Sequence, residues 1–392
     1  MKDRKRALIN IISVILMTGA VLFMLAGCSG KTVDDEESTT VSDPDAYNEF
    51  QDKTESANSV NPSGLIAEYG HESSYGIARD RDGDKVRSYL TGKWVPSSYG
   101  DRRPVAIMLN NIEEAQPMSG VSNADVIYEC VVEGSLTRMM GIFENYDNLD
   151  KIGSVRSCRN YFVYYALELD CIYCHYGQSS YAVSLLAQPY VNNLSGLAAV
   201  GDTVFYRTTD RVAPHNAYAS GKGINKGIQI MGYDDSYSSD YKGKFTFAYD
   251  NEIITPDSAD SYTALKVEPG YLINKPWFEY NSKDGKYYRF QYGEKQIDDT
   301  NNEQLAVDNI ILQYSSWEQV DQKGYLGFDC HAGGKMTYIT KGMARDGSWI
   351  RFDGDQGAVR YFDSEGKEIV LNQGKTWIEI IQDTEGDKVK VS

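Results

Sequence analysis

Short uncharged apolar runs alternate with amphipathic segments over residues 89–240, a pattern that predicts buried strands followed by helices. The runs predict strands at 104–110, 125–132, 137–144, 152–155 and 169–175. Helical spacing of apolar residues predicts a helix at 159–169 capped by Ser157, a second helix that Pro189 ends, and a third near 223–231. Strands and helices in alternation are typical of a three-layer α/β sandwich, here with a mixed sheet.

The second half of the chain, over residues 241–392, shows a different pattern. Turn signals at Asp284-Gly285, Asp346-Gly347, Asp353-Gly354 and Glu365-Gly366 separate short runs rich in aromatic and β-branched residues. Such runs, for example at 287–290, 349–352 and 377–381, predict hairpins. We therefore expect two domains, an α/β domain at 89–240 and a mostly antiparallel β domain at 241–392.

The N-terminus has the pattern of a secretory signal peptide, because four basic residues precede an apolar run at 7–26. Leu25-Ala26-Gly27-Cys28 resembles the bacterial lipobox, in which the cysteine is acylated and becomes the first residue of the mature protein. The alternative is an uncleaved membrane anchor, since about 20 apolar residues suffice to span a bilayer. Both alternatives place the rest of the chain outside the cytoplasm. We expect a signal peptide at 1–27 and a lipid anchor on Cys28 at the outer face of the cell membrane.

The net charge of −17 is unevenly distributed along the chain. Nine acidic residues and two lysines lie between residues 29 and 62, where large apolar side chains are almost missing. Such a composition cannot bury enough surface to offset the entropy of ordering, so we expect a disordered acidic spacer at 28–88. Direct nucleic-acid binding through a basic face is not expected.

The cysteines other than Cys28 are predicted to be buried free thiols: Cys130, Cys158, Cys171, Cys174 and Cys330. Cys171 and Cys174 have the spacing of a redox motif, but residues i and i+3 of a strand point to opposite faces, which disfavours a bridge. The four histidines show no ligand spacing with one another or with the cysteines. We therefore expect no metal and no other cofactor.

Five arginines stand out against the acidic background because they fall in segments that follow predicted strands. Ligands usually bind at the carboxyl ends of strands in an open α/β sheet, and the arginine fork suits phosphate and carboxylate. The predicted ligand-binding residues are Arg138, Arg156, Arg159, His175, Arg207, Arg211, His215 and Asn216. The alternative is a buried polar network that pairs the arginines with Glu129, Glu133, Glu144, Glu168 or Asp210.

Catalysis by histidine is a further possibility. His175 and His215 would act as a general base and its partner, with Ser179 or Ser180 as the nucleophile. No acidic residue is marked by its spacing to orient either imidazole. The catalytic residues are therefore unknown at this point, and the balance favours a protein without enzymatic activity.

Five short motifs occur in order along the chain: RPVAIM at 103–108, ADVIYE at 124–129, VEGSLTR at 132–138, IGSVRS at 152–157 and APHN at 213–216. In this order they resemble the YerB-like lipoproteins of Gram-positive bacteria, and the likeness runs from about residue 90 to about residue 381. Ser154 replaces a proline that is usual in that family, and Gln178 replaces a glycine. The resemblance implies an acylated cysteine, an N-terminal α/β domain and a C-terminal β domain, and it implies no established reaction.

The leading hypothesis is a non-enzymatic envelope lipoprotein that binds an anionic ligand or a partner protein through an arginine-rich cleft of the α/β domain. The partner would be a cell-wall polymer or an envelope protein. One alternative is an enzyme acting on cell-wall glycopolymer or a phosphate-linked lipid precursor, because Asp125 to Tyr128 and Val155-Arg156 faintly resemble wall-polymer transferases of the LytR type. Another alternative is a scaffold whose β domain carries the contacts.

Overall fold

The structure is a computed structural model that describes residues 79–392. The predicted signal peptide, Cys28 and the acid-rich stretch at 29–62 lie outside the described residues. Within residues 79–392, no helix is both long enough and apolar enough to cross a membrane. Residues 79–88, assigned from the sequence to the spacer, contain two strands, and the Val86 side chain is buried.

The first part of the described chain alternates strands with short helices. Its strands are β1 Arg81–Asp82, β2 Lys85–Arg87, β3 Trp94–Pro96, β4 Val105–Leu109, β5 Val126–Val131, β6 Thr137–Phe143, β7 Ile152–Gly153, β8 Ile172–His175, β9 Asn193–Ser195, β10 Phe205–Arg207 and β11 Ala217–Ala219. Its helices are α1 Ser97–Gly100, α2 Asn160–Leu167, α3 Val183–Leu186, α4 Gly201–Val204 and α5 Gly221–Met231.

The second part is built of strands joined by turns. They are β12 Thr246–Phe247, β13 Tyr262–Thr263, β14 Lys266–Glu268, β15 Trp277–Asn281, β16 Lys286–Gln291, β17 Glu294–Lys295, β18 Ala306–Val307, β19 Asn309–Ser315, β20 Trp317–Gln319, β21 Leu326–Phe328, β22 Gly334–Thr340, β23 Met343–Arg351, β24 Val359–Asp363, β25 Val370–Leu371, β26 Thr376–Gln382 and β27 Lys390–Val391.

One mixed eleven-stranded sheet runs through both parts of the chain. Its order is β13, β23, β22, β19, β26, β5, β6, β4, β8, β9, with β24 also paired to β23. The parts join where β26 pairs in parallel with β5, and β19 is parallel to β26 on the other side. The joining strands are nearly uninterrupted apolar runs, as expected for strands that are covered on both faces. We refer to this as the main sheet.

Each face of the main sheet buries its own apolar cluster. One cluster includes α2, through residues such as Tyr161 and Phe162. The other includes Ile224 and Ile228 of α5, together with Phe278 from a second, six-stranded sheet of β14 to β18 and β27. The mixed and antiparallel sheets that we expected are therefore present, and the three-layer arrangement stays a prediction.

Two local predictions were wrong. Ser157 does not cap α2: Arg159 occupies the N-cap position, and the Ser157 hydroxyl donates to Tyr176 O at 3.2 Å. Asp346-Gly347 is not a turn, because both residues lie inside the nine-residue strand β23. Gly347 serves close packing there, since a Cβ at this position would lie 2.0 Å from Phe362 O.

The five cysteines within residues 79–392 are buried free thiols, as predicted. Cys174 lies on β8, and Cys171 directly precedes that strand. Burial raises the pKa of both thiols. These side chains therefore act as small apolar groups in the core.

Candidate functional site

Several predicted ligand segments meet at one edge of the main sheet, where the parallel strands β4 and β8 end. Asn110 follows β4, and its backbone N–H donates to Ser154 O at 2.9 Å. The Arg156 N–H donates to Met108 O at 3.0 Å, and the Tyr176 N–H, just after β8, donates to Arg156 O at 3.1 Å. The segment that contains Arg156 therefore lies between the ends of the two strands. We call the adjoining surface the basic edge, defined by Tyr176, Arg207, Arg211, His215 and Asn216.

Arg207 is the exposed cation of the basic edge. Its guanidinium carbon lies 4.5 Å from the centroid of the Tyr176 ring, and its Nη1 donates to Asn216 Oδ1 at 2.8 Å. The orientation of the Asn216 amide is fixed in turn, because its Nδ2 donates to Thr208 O at 2.8 Å. Stacking and one hydrogen bond thus orient a guanidinium that carries five N–H donors.

Arg211 and His215 lie on the same loop and contact the segment after β4. The Arg211 guanidinium donates to the carbonyl oxygens of Ala115 and Pro117, the latter at 2.7 Å. Asn110 Nδ2 lies 2.9 Å from His215 Nδ1, and Asn110 Oδ1 accepts the N–H of Asn111. Since the amide donates to Nδ1, a neutral His215 carries its proton on Nε2.

Arg138 and Arg159 are buried, with relative exposures of 5% and 7%. Arg138 Nη1 donates to Ser157 O at 2.6 Å. Arg159 pairs with Glu133 through two hydrogen bonds of 2.7 Å each. Burial alone would favour the neutral forms, but the guanidinium lowers the pKa of Glu133 and the carboxylate raises that of Arg159. The polar-network alternative therefore describes Arg159, and its partner Glu133 is one of those named from the sequence.

His175 is fully buried at the end of β8. Its Nδ1 lies 2.7 Å from Gly177 O, and its Nε2 lies 3.3 Å from Asn193 Oδ1. The ring also stacks on Tyr173, with centroids 5.4 Å apart. The contact with Gly177 O fixes the start of the loop after β8, and Tyr176 lies between these two residues in the sequence.

A buried ionic cluster that the sequence analysis did not predict lies where the two parts of the main sheet join. Glu129 of β5 and Glu379 of β26 are aligned on neighbouring strands, and Arg289 of β16 donates to both carboxylates, at 2.8 Å to Glu379 Oε1. All three side chains are fully buried. Burial and the charge of Glu129 raise the pKa of Glu379 well above its usual range. We call these three residues the junction cluster.

Glu168, another acid named in the polar-network alternative, belongs to a separate buried cluster. Its carboxylate lies 3.1 Å from Lys244 Nζ and 3.4 Å from Arg351 Nη2, and it accepts the N–H of Val359 at 3.0 Å. Burial lowers the pKa of Lys244 to about 8. Glu168, at the C-terminal end of α2, therefore links this helix to β23 through Arg351 and to β24 through Val359.

Two of the cavities within residues 79–392 are lined by none of the predicted ligand residues. The smaller, of about 300 Å³, lies beside the carboxyl ends of β5 and β26. The larger, of about 1000 Å³, lies against β22, β23 and β24. We call the larger cavity the acidic groove, and its main side chains are Asp260, Tyr314, Lys335, Asp346, Ile350, Phe352, Phe362, Asp363 and Asp383. The sequence analysis missed it because Asp346-Gly347 was interpreted as a turn, which interrupted the alternating pattern of β23.

Metal binding has no support in the described part of the chain, where no group of three His, Cys, Asp or Glu side chains is suitably placed to hold an ion. The basic edge offers guanidinium, imidazole and amide groups instead. Such groups donate hydrogen bonds to anions.

The fold and the two sequence domains define the class of this protein. Residues 90–234 match the model of the N-terminal domain of DUF3048, and residues 267–378 match the model of its C-terminal domain. The family is described as proteins of unknown function. The chain belongs to this family, whose two domains share the main sheet here.

The chain is 29% identical over 311 residues to a Bacillus subtilis (strain 168) protein named "Putative lipoprotein YerB", which covers 78% of this chain and 89% of that protein. The crystal structure of YerB from Bacillus subtilis is similar, with a TM-score of 0.67 over 78% of this chain and 99% of the YerB chain. The predicted resemblance to the YerB-like family is therefore confirmed. Homology to a protein of that name supports a lipoprotein.

Proposed function

We propose that this protein is an exported, non-enzymatic lipoprotein, held at the outer face of the cell membrane by an acylated Cys28, whose basic edge binds an anionic ligand of the cell envelope. The ligand is a phosphate or carboxylate group on a wall polymer or on a partner protein. The lipobox pattern and the similarity to YerB support the anchor.

One observation carries the binding proposal. Arg207 is exposed, yet Tyr176 and Asn216 already orient its guanidinium. An oriented guanidinium loses little conformational entropy on binding and can form paired hydrogen bonds with phosphate or carboxylate. Arg211 and His215, which lie on the same loop, supply further donors, and the backbone of Arg156 lies between the ends of β4 and β8.

The net charge of −17 favours selective binding of an anion at the basic edge. An anion is repelled by most of such a surface and is attracted where cationic groups are concentrated. Association should therefore weaken as salt is added, and should be restricted to the basic edge.

The test is titration of the full chain in neutral detergent with purified phosphate-rich wall polymer and with inorganic phosphate. Replacing Arg207 and Arg211 together with Ala should abolish binding and leave the melting temperature nearly unchanged, because both side chains reach solvent. Arg81→Ala with Lys283→Ala, which removes the same charge from exposed positions outside the basic edge, is the matched control. Equal binding by the double variant would contradict the proposal, and turnover of the polymer would support the enzymatic alternative instead.

A further inference from the structure

The acidic groove lies on a part of the main sheet that no other element within residues 79–392 covers. Leu312, Ile339 and Ala344 are buried in one cluster with Phe278 and Tyr287 of the second sheet. Further along the same strands, that covering ends and the sheet face lines the groove. The groove therefore has a rigid floor of paired strands.

Part of the floor is apolar. Ile350 and Phe352 are half-buried, and Phe362 of the edge strand β24 packs edge-on against Phe352 with ring centroids 6.1 Å apart. Ser348 and Phe362 are register partners, as are Lys335 and Ser348, so these side chains lie on the same face. This arrangement offers an apolar strip beside polar groups, which suits side chains with long methylene stems.

The charge of the groove is predominantly negative, since four aspartates and one lysine line it. Asp363 forms an ion pair with Arg345 at 3.1 Å. Asp346 is held by two hydrogen bonds to its Oδ1, from Tyr262 Oη at 2.9 Å and from Thr337 Oγ1 at 2.7 Å. At least one carboxylate is therefore oriented before any ligand arrives.

We propose that the acidic groove binds an extended basic peptide segment of another protein. Lysine and arginine side chains match both the negative charge and the apolar strip of the groove. Their charged ends pair with the aspartates while their methylene stems pack on Ile350 and Phe352. A volume of about 1000 Å³ is at the upper end of the range for bound small ligands, which leaves room for several side chains.

Charge also excludes two other occupants. The chain's own segment at 29–62 has nine acidic residues and two lysines, so the aspartates would repel it. A second copy of this chain also has a net charge of −17, which opposes its approach, and its basic edge is built of folded loops that do not form an extended segment able to lie along the groove. A basic partner is the remaining occupant that is complementary to the groove.

The test is fluorescence anisotropy of a labelled short oligolysine with the full chain in neutral detergent at physiological salt, and oligoglutamate is the charge-reversed probe. Replacing Asp346 and Asp383 together with Asn should weaken oligolysine binding about tenfold, which corresponds to about 1.4 kcal/mol, because two partly exposed carboxylates that would pair with lysine ammonium groups are lost. Asp202→Asn with Glu294→Gln removes the same charge from exposed positions outside the groove and should leave binding nearly unchanged.

A second variant, Phe352→Ala, tests the apolar strip without changing any charge. It should weaken oligolysine binding while the circular dichroism spectrum stays that of the parent. Equal losses in the groove pair and the control pair would overturn the proposal, because they would indicate general attraction to an acidic protein. Binding of oligoglutamate, or concentration-dependent dimers that the groove variants abolish, would overturn it in favour of another occupant.

Discussion

The basic edge and the acidic groove lie toward opposite ends of the main sheet and are built in different ways. The basic edge consists of loops that follow β4, β8 and β10, and its side chains are oriented by other loop residues such as Tyr176 and Asn216. The acidic groove is an uncovered sheet face, and its floor is fixed by strand pairing. A net charge of −17 therefore conceals two surfaces of opposite sign, each defined by local geometry.

The junction cluster connects these two surfaces. It lies where β26 meets β5, and so between the domain that forms the basic edge and the domain that forms the groove. The two domains share the main sheet, and we therefore expect them to lose structure together. We expect the main sheet to unfold as one cooperative unit. We expect the two surfaces, in contrast, to bind their ligands independently of each other.

Arg289→Met is expected to have the largest effect. It leaves Glu129 and Glu379 buried without their common cation, and loss of one partner from a buried pair typically costs about 3–5 kcal/mol. Chemical denaturation should show this loss in a single transition that includes both domains. Adding Glu129→Gln and Glu379→Gln should recover part of the stability. Two separate transitions would contradict the shared sheet as the cooperative unit.

Comparing Arg159→Ala with Arg207→Ala should show that the buried arginine stabilises the fold and that the exposed arginine of the basic edge does not. It leaves Glu133 buried and unpaired, so we expect a loss of about 3 kcal/mol in the free energy of unfolding. Arg207→Ala should lower stability by less than about 1 kcal/mol, because its side chain is exposed. Thermal melts of the two variants, with phosphate binding measured in parallel, provide the check. Similar melting temperatures would show that Arg159 is less important to the fold than its ion pair implies.

Gly347→Ala should affect the acidic groove alone. The added Cβ would lie 2.0 Å from Phe362 O, and backbone cannot move aside without shifting β24. Such overpacking typically costs about 1–3 kcal/mol. Oligolysine binding should fall while phosphate binding at the basic edge persists. Gly293→Ala is the control for a general loss of stability, because Gly293 has φ of +83° and the added Cβ would meet no atom within 4 Å, so it should destabilise through backbone strain and leave both surfaces unchanged. Equal loss at both surfaces would mean that the distortion spreads along the main sheet.

The sequence predicted the elements whose apolar residues follow a strong local pattern, whereas the one predicted helix cap, Ser157, was wrong. The apolar runs that form β4, β5, β6 and β8 were placed correctly, and α5 was located because its apolar residues recur at helical spacing. Gly232, in the left-handed conformation with φ of 66°, ends that helix. Such signals lie within a few residues of the element that they define.

Long-range pairing could not be predicted in the same way. The β26 run was interpreted as part of a hairpin, but it pairs in parallel with β19 and β5. Glu129, Arg289 and Glu379 are far apart in the sequence, and no local pattern indicates that they meet. The site residues show the same limit: the segments were identified, but whether an arginine is exposed like Arg207 or paired like Arg159 depends on which acid the fold brings close.

The smallest expected effect concerns the pH dependence of stability. A titrating group buried at the main sheet should change stability with pH and leave the affinities of both surfaces unchanged. Glu144, at the end of β6, is buried, and burial together with the charge of Asp125 raises its pKa to about 8. The folded state therefore binds a proton that the unfolded state releases near pH 4.5, so this group's contribution to stability is complete below that pH and is lost as pH rises toward about 8. Glu144→Gln removes the titration and should make the protein relatively more stable, by roughly 1 kcal/mol, at pH 6 than at pH 5 when each is compared with the parent.

Denaturation of parent and variant at a series of pH values measures this difference. The variant should leave the affinities of both surfaces unchanged at any pH where both proteins are folded, because Glu144 lines neither of them. A stability difference that is independent of pH would show that the Glu144 carboxyl keeps an ordinary pKa. A change in the affinity of only one surface would show that protonation of Glu144 affects binding at that surface. The basic edge and the acidic groove would then differ in how strongly their binding depends on the state of the main sheet.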